Sequence, residues 1–230
     1  MPAEPPLIWT LPPPPPRQRS LGREEIVAAA IALADEGAAV TMKSVAGRLG
    51  PYTSMALYRY VHSREGLSDL MLDAAVAEVP VPAAPGGNWR EDLRALALDT
   101  RGMLKRHPWC ALLAHTRPPA GPHLMRRLEF MLAVLTARGA TLPDAMTYAA
   151  LIDRHVLGSG AQEAEEARHE PTGEAFTEAL ASVRDLAAAD PAVPLLTAWL
   201  TKPAGPPRDV QFDLGLGFLL DGIESRLPGR

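Results

Sequence analysis

Apolar residues along this chain recur at intervals of three and four, with glycine and proline between the runs, which predicts helices. Arg23 to Glu36 carries Ile26, Ala29, Ala30 and Leu33 on one stripe, and Gly37 ends it. Met42, Val45, Ala46 and Leu49 repeat behind Thr41, an N-cap candidate, with Val40 and Val45 placed to staple the entry. Gly50-Pro51 stops this helix, because proline cannot continue the hydrogen-bond ladder. Thr53 can cap a short helix, Ser54 to Val61, whose Leu57 and Val61 point one way. Ser63 can cap the next, with Glu65 in its first turn, where the helix dipole favours an acid. Leu67, Leu70, Met71, Ala74 and Ala75 carry that helix to about Val79.

A linker, PVPAAPGG, spans Pro80 to Gly87. Beyond it, Asn88 can cap a helix through Trp89, Leu93, Leu96, Ala97 and Leu104 that ends near His107-Pro108, and a short helix covers Trp109 to His115. Leu124 to Ala137 is amphipathic, with Leu128, Met131, Leu132 and Leu135 together. Pro143 suits the first position of a helix bearing Met146, Ala149, Ala150, Ile152, Val156 and Leu157. It leads toward EAEEARHE, read as a solvated helix end or a loop. Thr172 to Ala189 has Phe176, Leu180, Val183 and Leu186 in register, a short apolar piece lies at Leu195 to Leu200, and Val210 to Leu227 forms the last helix. The chain thus reads as all-α. Residues 1–19 are a proline-rich tail expected to be disordered. Residues 20–66 form a three-helix head, 67–79 a connecting helix, 80–88 a linker and 89–230 a helical bundle.

The head's third helix carries the chemistry. Ser54, Met55, Arg59 and Tyr60 cannot all share the stripe of Leu57 and Val61, so hydroxyls and a guanidinium face outward. A short helix of this kind, braced by a preceding one, is how a recognition helix enters the major groove. An ordinary helical hairpin with solvated polar residues gives the same spacing. Three runs add to the pattern: REEIVAAAIALADEG from Arg23, VTMKSVAGRLG from Val40 and TSMALYRYVHSREGL from Thr53. Together they resemble the DNA-binding head of the tetracycline-repressor-type (TetR) family of bacterial transcriptional regulators. The family's leucine-tyrosine pair falls on Leu57-Tyr58, and its Ser-Lys-Glu on Ser63-Arg64-Glu65. The turn holds Pro51 and Tyr52 where the family usually has one residue, and Arg64 replaces the usual lysine. FDLGLGFLLDGIESRL from Phe212 is similar to the family's final helix.

The resemblance implies double-stranded DNA as a partner, in the form of a palindromic operator. Thr41, Tyr58, Tyr60 and Arg64 are expected on phosphates, and Thr53, Ser54, Met55 and Arg59 toward bases or adjacent phosphates; Lys43 and Arg48 complete the DNA-facing set. It also implies a homodimer through the C-terminal helices, about Pro143–Glu163 and Val210–Leu227, and an effector pocket in the body for an unknown small molecule. Trp89, Met103, Trp109, His115, Met131, Tyr148 and His155 are candidate pocket residues, and each would serve equally as plain core. Function is read as a repressor released from its operator by that effector. The alternative is a helical small-molecule sensor or carrier whose head contacts protein.

Charge and composition refine this picture. The net charge of −4 argues against a protein that coats nucleic acid over its whole surface. Residues 17–66 hold seven Lys or Arg against five acids, a basic head on an acidic body, and Arg17 and Arg19 suit a DNA-reaching arm. The single cysteine, Cys110, reads as a small buried apolar residue in a reducing cytoplasm. No apolar run approaches a membrane span and the N-terminus lacks signal-peptide character, so the expected location is cytoplasmic. No catalytic motif stands out, the six histidines are scattered, and no metal or cofactor is expected.

Overall fold

A computed structural model describes residues 8–11, 21–116, 120–168, 174–202 and 205–228. Its described elements are a short 3-10 turn, Ile8–Thr10, and α-helices only. The first three are α1 (Arg23–Asp35), α2 (Met42–Leu49) and α3 (Ser54–Val61). They enclose a small core in which Ile26, Ala30, Val45, Leu57 and Val61 are fully buried. Capping fixes the boundaries. Thr41 Oγ1 accepts from the Ser44 amide at 3.0 Å, Thr53 Oγ1 from Ala56 at 3.3 Å, and Ser63 Oγ from Gly66 at 2.8 Å. Between α2 and α3 the chain turns at Gly50, with φ of 93°, a left-handed region that a side chain would disfavour.

The proline-rich tail departs from expectation in one place. Ile8 is 1% exposed and packs in the head core beside Leu21, Leu67 and Leu70. An isoleucine and a tryptophan amid prolines supply enough apolar surface to dock one turn, which composition averaged over the whole tail hides. The remainder of residues 1–19 lies outside the described residues.

Helix α4 (Arg64–Val76) belongs to two cores. Its Leu67, Leu70 and Met71 pack into the head, and its Leu72, Ala75 and Val76 into the body. The body is built from α5 (Trp89–Arg106), α6 (Trp109–Thr116), α7 (Pro122–Ala137) and α8 (Leu142–Arg168), with α11 (Arg208–Glu224) against α8. α5 and α11 run antiparallel along an ion-pair ladder: Arg90 with Asp221 at 2.5 Å and Glu224 at 2.9 Å, Arg94 with Asp213 at 2.9 Å, and Lys105 with Asp209 at 3.1 Å. Arg101, almost fully buried, reaches Glu163 and Asp209 and lies 4.4 Å over the Phe212 ring.

The start of α7 differs from the sequence reading, and the acidic segment at the end of α8 takes the first of its two readings, a helix end. α7 begins at Pro122, two residues before Leu124, because Asp73 of α4 receives its free N-terminal amides. Asp73 Oδ1 accepts from His123 at 2.8 Å and from Leu124 at 3.1 Å. α8 continues through EAEEAR to Arg168 as one helix of 27 residues. α9 (Glu174–Ala189) and α10 (Pro194–Leu200) pack on each other, leaving Val183, Leu186, Leu195 and Trp199 exposed. Helical register therefore identified α9 without identifying what its apolar side packs against.

Candidate nucleic-acid interface and internal cavity

α3 stands on the surface of the head with one side sealed and the other open. Leu57 and Val61 are completely buried, whereas Met55 is 74% exposed. Arg59 is exposed beside it, and Ser54, Tyr58 and Tyr60 are half-buried. Thr53 at the N-cap, Thr41 and Lys43 at the start of α2, and Arg64 at the start of α4 are all exposed. The caps thus place hydroxyls at the N-termini of α2 and α3, where free amides and helix dipoles favour anionic oxygens. Arg48 is differently disposed. Its guanidinium pairs with Glu36 of α1, Nη1 to Oε1 at 2.8 Å, and these hydrogen bonds hold the Glu36 carboxyl below the usual carboxylate range. Its charge is therefore already matched inside the head. Arg23 acts as a brace, Nε donating to the Tyr60 carbonyl at 3.1 Å and pinning the end of α3 to α1. The extra turn residues, Pro51 and Tyr52, sit exposed between α2 and α3 and leave the packing of both helices intact.

The body holds a partly open, mostly apolar cavity of about 140 Å³. α4 contributes Leu72 and Val76, α5 Met103 and Leu104, α6 Cys110 and Ala114. Its polar groups are Thr100, Arg127 and Asp153. Arg127 donates to Asp153 through Nη2 at 2.7 Å and Nη1 at 3.2 Å, and through Nε to Thr100 Oγ1 at 3.1 Å. Burial pushes the Cys110 thiol well above its ordinary pKa, so it stays protonated there.

Of the seven pocket candidates, Met103 lines this cavity. Trp89 and Met131 are buried in the body core, and Tyr148 packs partly buried against it. Trp109 lies at the joint between head and body, its indole N–H donating to Asp35 at 2.7 Å. His155 stacks on Phe212 at 4.8 Å and donates to its carbonyl from Nε2 at 3.0 Å, on the side of α8 that faces α11. The side chain of His115 lies outside the described residues. Sequence reading missed Thr100 and Arg127. The available signal was an arginine within the otherwise apolar face of α7, four residues before Met131.

Residues 81–227 match the family described as "Tetracyclin repressor-like, C-terminal domain". The chain belongs to the TetR family of transcriptional regulators. It is 34% identical over 218 residues to the HTH-type transcriptional repressor DrrR1 of Streptomyces coeruleorubidus, covering 92% of this chain and 80% of that protein. It is 38% identical over 141 residues to an HTH-type transcriptional regulator of Saccharopolyspora erythraea, covering 60% of this chain and 59% of that relative's length. Among solved structures, the TetR family protein ActR of Streptomyces coelicolor in complex with actinorhodin superposes with a TM-score of 0.76 at 26% identity. That match covers 90% of this chain and 98% of ActR. The two curated relatives are named as regulators of transcription.

Proposed function

We propose that this protein is a homodimeric TetR-type repressor of the cytoplasm that binds a palindromic operator through α3 and releases it when a small molecule enters the body. The observation that carries the reading is the division of α3 into a buried stripe, Leu57 and Val61, and an open face bearing Met55 and Arg59. Met55 and Arg59 face bases, with Thr53 and Ser54 beside them; Thr41, Lys43, Tyr58, Tyr60 and Arg64 contact phosphates.

One recognition helix reads only a few base pairs, so two heads about one DNA turn apart are needed. α11 supports such pairing because it carries two apolar stripes. Phe212, Leu216, Leu220 and Ile223 point inward, while Val210, Leu214 and Phe218 are exposed. Met146 and Leu151 of α8 are exposed as well. Doubling these two helices gives a four-helix interface with an apolar seam.

The cavity suggests how release works. A drug-sized ligand needs roughly 300 Å³ or more, above the observed volume. An effector must therefore spread the walls, and Leu72 and Val76 of α4 form one of them. Moving α4 moves the head, so the ligand favours a body state whose heads are wrongly spaced for the operator. The effector best suited to this lining is largely apolar, with a polar group for Arg127 or Thr100; the similar protein ActR was solved in complex with a small molecule, actinorhodin.

A mobility shift with DNA flanking the protein's own gene tests the reading. Retardation of that duplex, weakened in Arg59→Ala and reversed by actinorhodin or by a largely apolar small molecule found by screening, is the expected result. Failure to bind any duplex selected from a random pool would overturn it.

A further inference from the structure

Head and body meet at a point as well as through α4. Among the described residues, the polar contacts of α1–α3 with α5 and α6 all run through Asp35, the last residue of α1. Asp35 Oδ1 lies 2.8 Å from His107 Nδ1 and accepts from Trp109 Nε1 at 2.7 Å. The other ring nitrogen of His107, Nε2, lies 3.0 Å from Glu78 Oε1, just beyond the end of α4. Arg106 of α5 donates from Nε to Glu78 Oε2 at 3.0 Å. One imidazole, 7% exposed at the C-terminus of α5, thus joins the head, the end of α4 and the body. Trp109 packs partly buried against both cores, and clefts of about 390 and 450 Å³ flank it between head and body.

We infer that His107, as a cation bridging Asp35 and Glu78, is a positioning residue that narrows the angle of the head on the body, and that losing its proton loosens that angle. The chemistry of the ring requires this. A neutral imidazole has one N–H and one lone pair, so it donates to one carboxylate and turns a lone pair toward the other. Both bonds form together only in the imidazolium. Of the groups facing the ring, Asp35 comes from α1, Glu78 from the end of α4, and Arg106 from α5; Trp109 and Cys110 come from α6. Burial opposes the charge, but the hydrogen bonds to Asp35 and Glu78, with their negative charges, outweigh it and raise His107 above the ordinary imidazole value. After deprotonation Trp109 still holds Asp35 and Arg106 still holds Glu78. The local fold and the Trp109–Asp35 bond across the joint survive, and what is lost is the bridge from Asp35 to Glu78, so the head is held at fewer points.

Spin labels on Ala28→Cys in the head and Ala137→Cys in the body read this angle; both positions are exposed, and buried Cys110 stays in place. Labelled chains are diluted with unlabelled chains so that distances are measured within one protomer. The expected wild-type result is a single narrow distance at about pH 6 that broadens by about pH 9, in step with loss of the His107 proton seen by NMR. Glu78→Gln provides the diagnostic variant. Its amide oxygen accepts from Arg106 and its NH2 donates to neutral Nε2, so the distance stays narrow at both pH values. His107→Gln gives the broad distribution at both. An unchanged wild-type distance, a His107 ring that does not titrate in this interval, or broadening of Glu78→Gln like the wild type would each overturn the inference. A consequence for operator affinity rests on the regulator reading above. The distance measurement needs neither operator nor effector, so the two fail separately.

Discussion

Arg127 and Asp153 join α7 to α8 through two nearly parallel hydrogen bonds, at 2.7 and 3.2 Å, on the wall of the body cavity. Arg127 is 6% exposed, so its charge has little water to fall back on. Arg127→Ala removes one partner of a largely desolvated pair and is expected to destabilise the protein by about 2–4 kcal/mol. The double change Arg127→Met with Asp153→Leu should recover most of that in thermal melts, because no charge is then left without its partner. The same double variant should respond poorly to any effector that uses the guanidinium.

The proposed recognition surface is expected to divide into residues that read sequence and residues that read charge. Arg59→Ala is expected to cost about 1–3 kcal/mol on the selected operator and to relax preference at one base-pair position. Lys43→Ala and Arg64→Ala should weaken binding to every duplex alike and lower the salt slope by about 1 each. Arg48→Ala should leave the slope unchanged, since Glu36 already neutralises that guanidinium. Titration of labelled duplexes at several salt concentrations separates the three classes.

Phe218 is 70% exposed on a helix whose opposite side is fully buried. Phe218→Glu or Leu214→Glu places a carboxylate at the centre of the proposed seam, where ionisation is unfavourable without a partner. Sedimentation should show a folded monomer with helicity near wild type. A dimer that persists in the double variant would place the interface elsewhere.

Stability should carry a pH signature from His107. Its folded pKa is raised, so its contribution is fully present below about pH 6.5 and is lost as pH rises through the folded value. The melting temperature of wild type should fall over that interval relative to His107→Gln. The difference between the two proteins isolates this imidazole from other titrating groups.

The head was readable because its instructions are local. Thr41, Thr53 and Ser63 each cap a helix from within four residues, and Gly50 marks the turn by its backbone. Ile26, Leu57 and Val61 announce the core by spacing alone. The cavity was less readable because its polar groups meet across distance in sequence: Thr100, Arg127 and Asp153 lie on three helices. The partner of Asp153 is Arg127, 26 residues away on another helix. His155 and Trp109, candidates for a pocket, line clefts other than the body cavity, one at the α11 contact and the other at the head–body joint. Periodicity tells which side of a helix is apolar. It does not tell whether that side meets its own chain or another.

The double allegiance of α4 limits how the molecule can be divided. The family match starts at residue 81, yet Leu72, Ala75, Val76 and Val79 fill the body's core and the Asp73 carboxylate closes the start of α7. A fragment cut at that border would lose a wall of its own interior and the group that terminates one of its helices. A piece of the body that keeps these contacts begins near Ser63, ahead of the start of the family match. Any chimera that exchanges heads should carry α4 with the body, or it will inherit a regulator unable to hear its ligand.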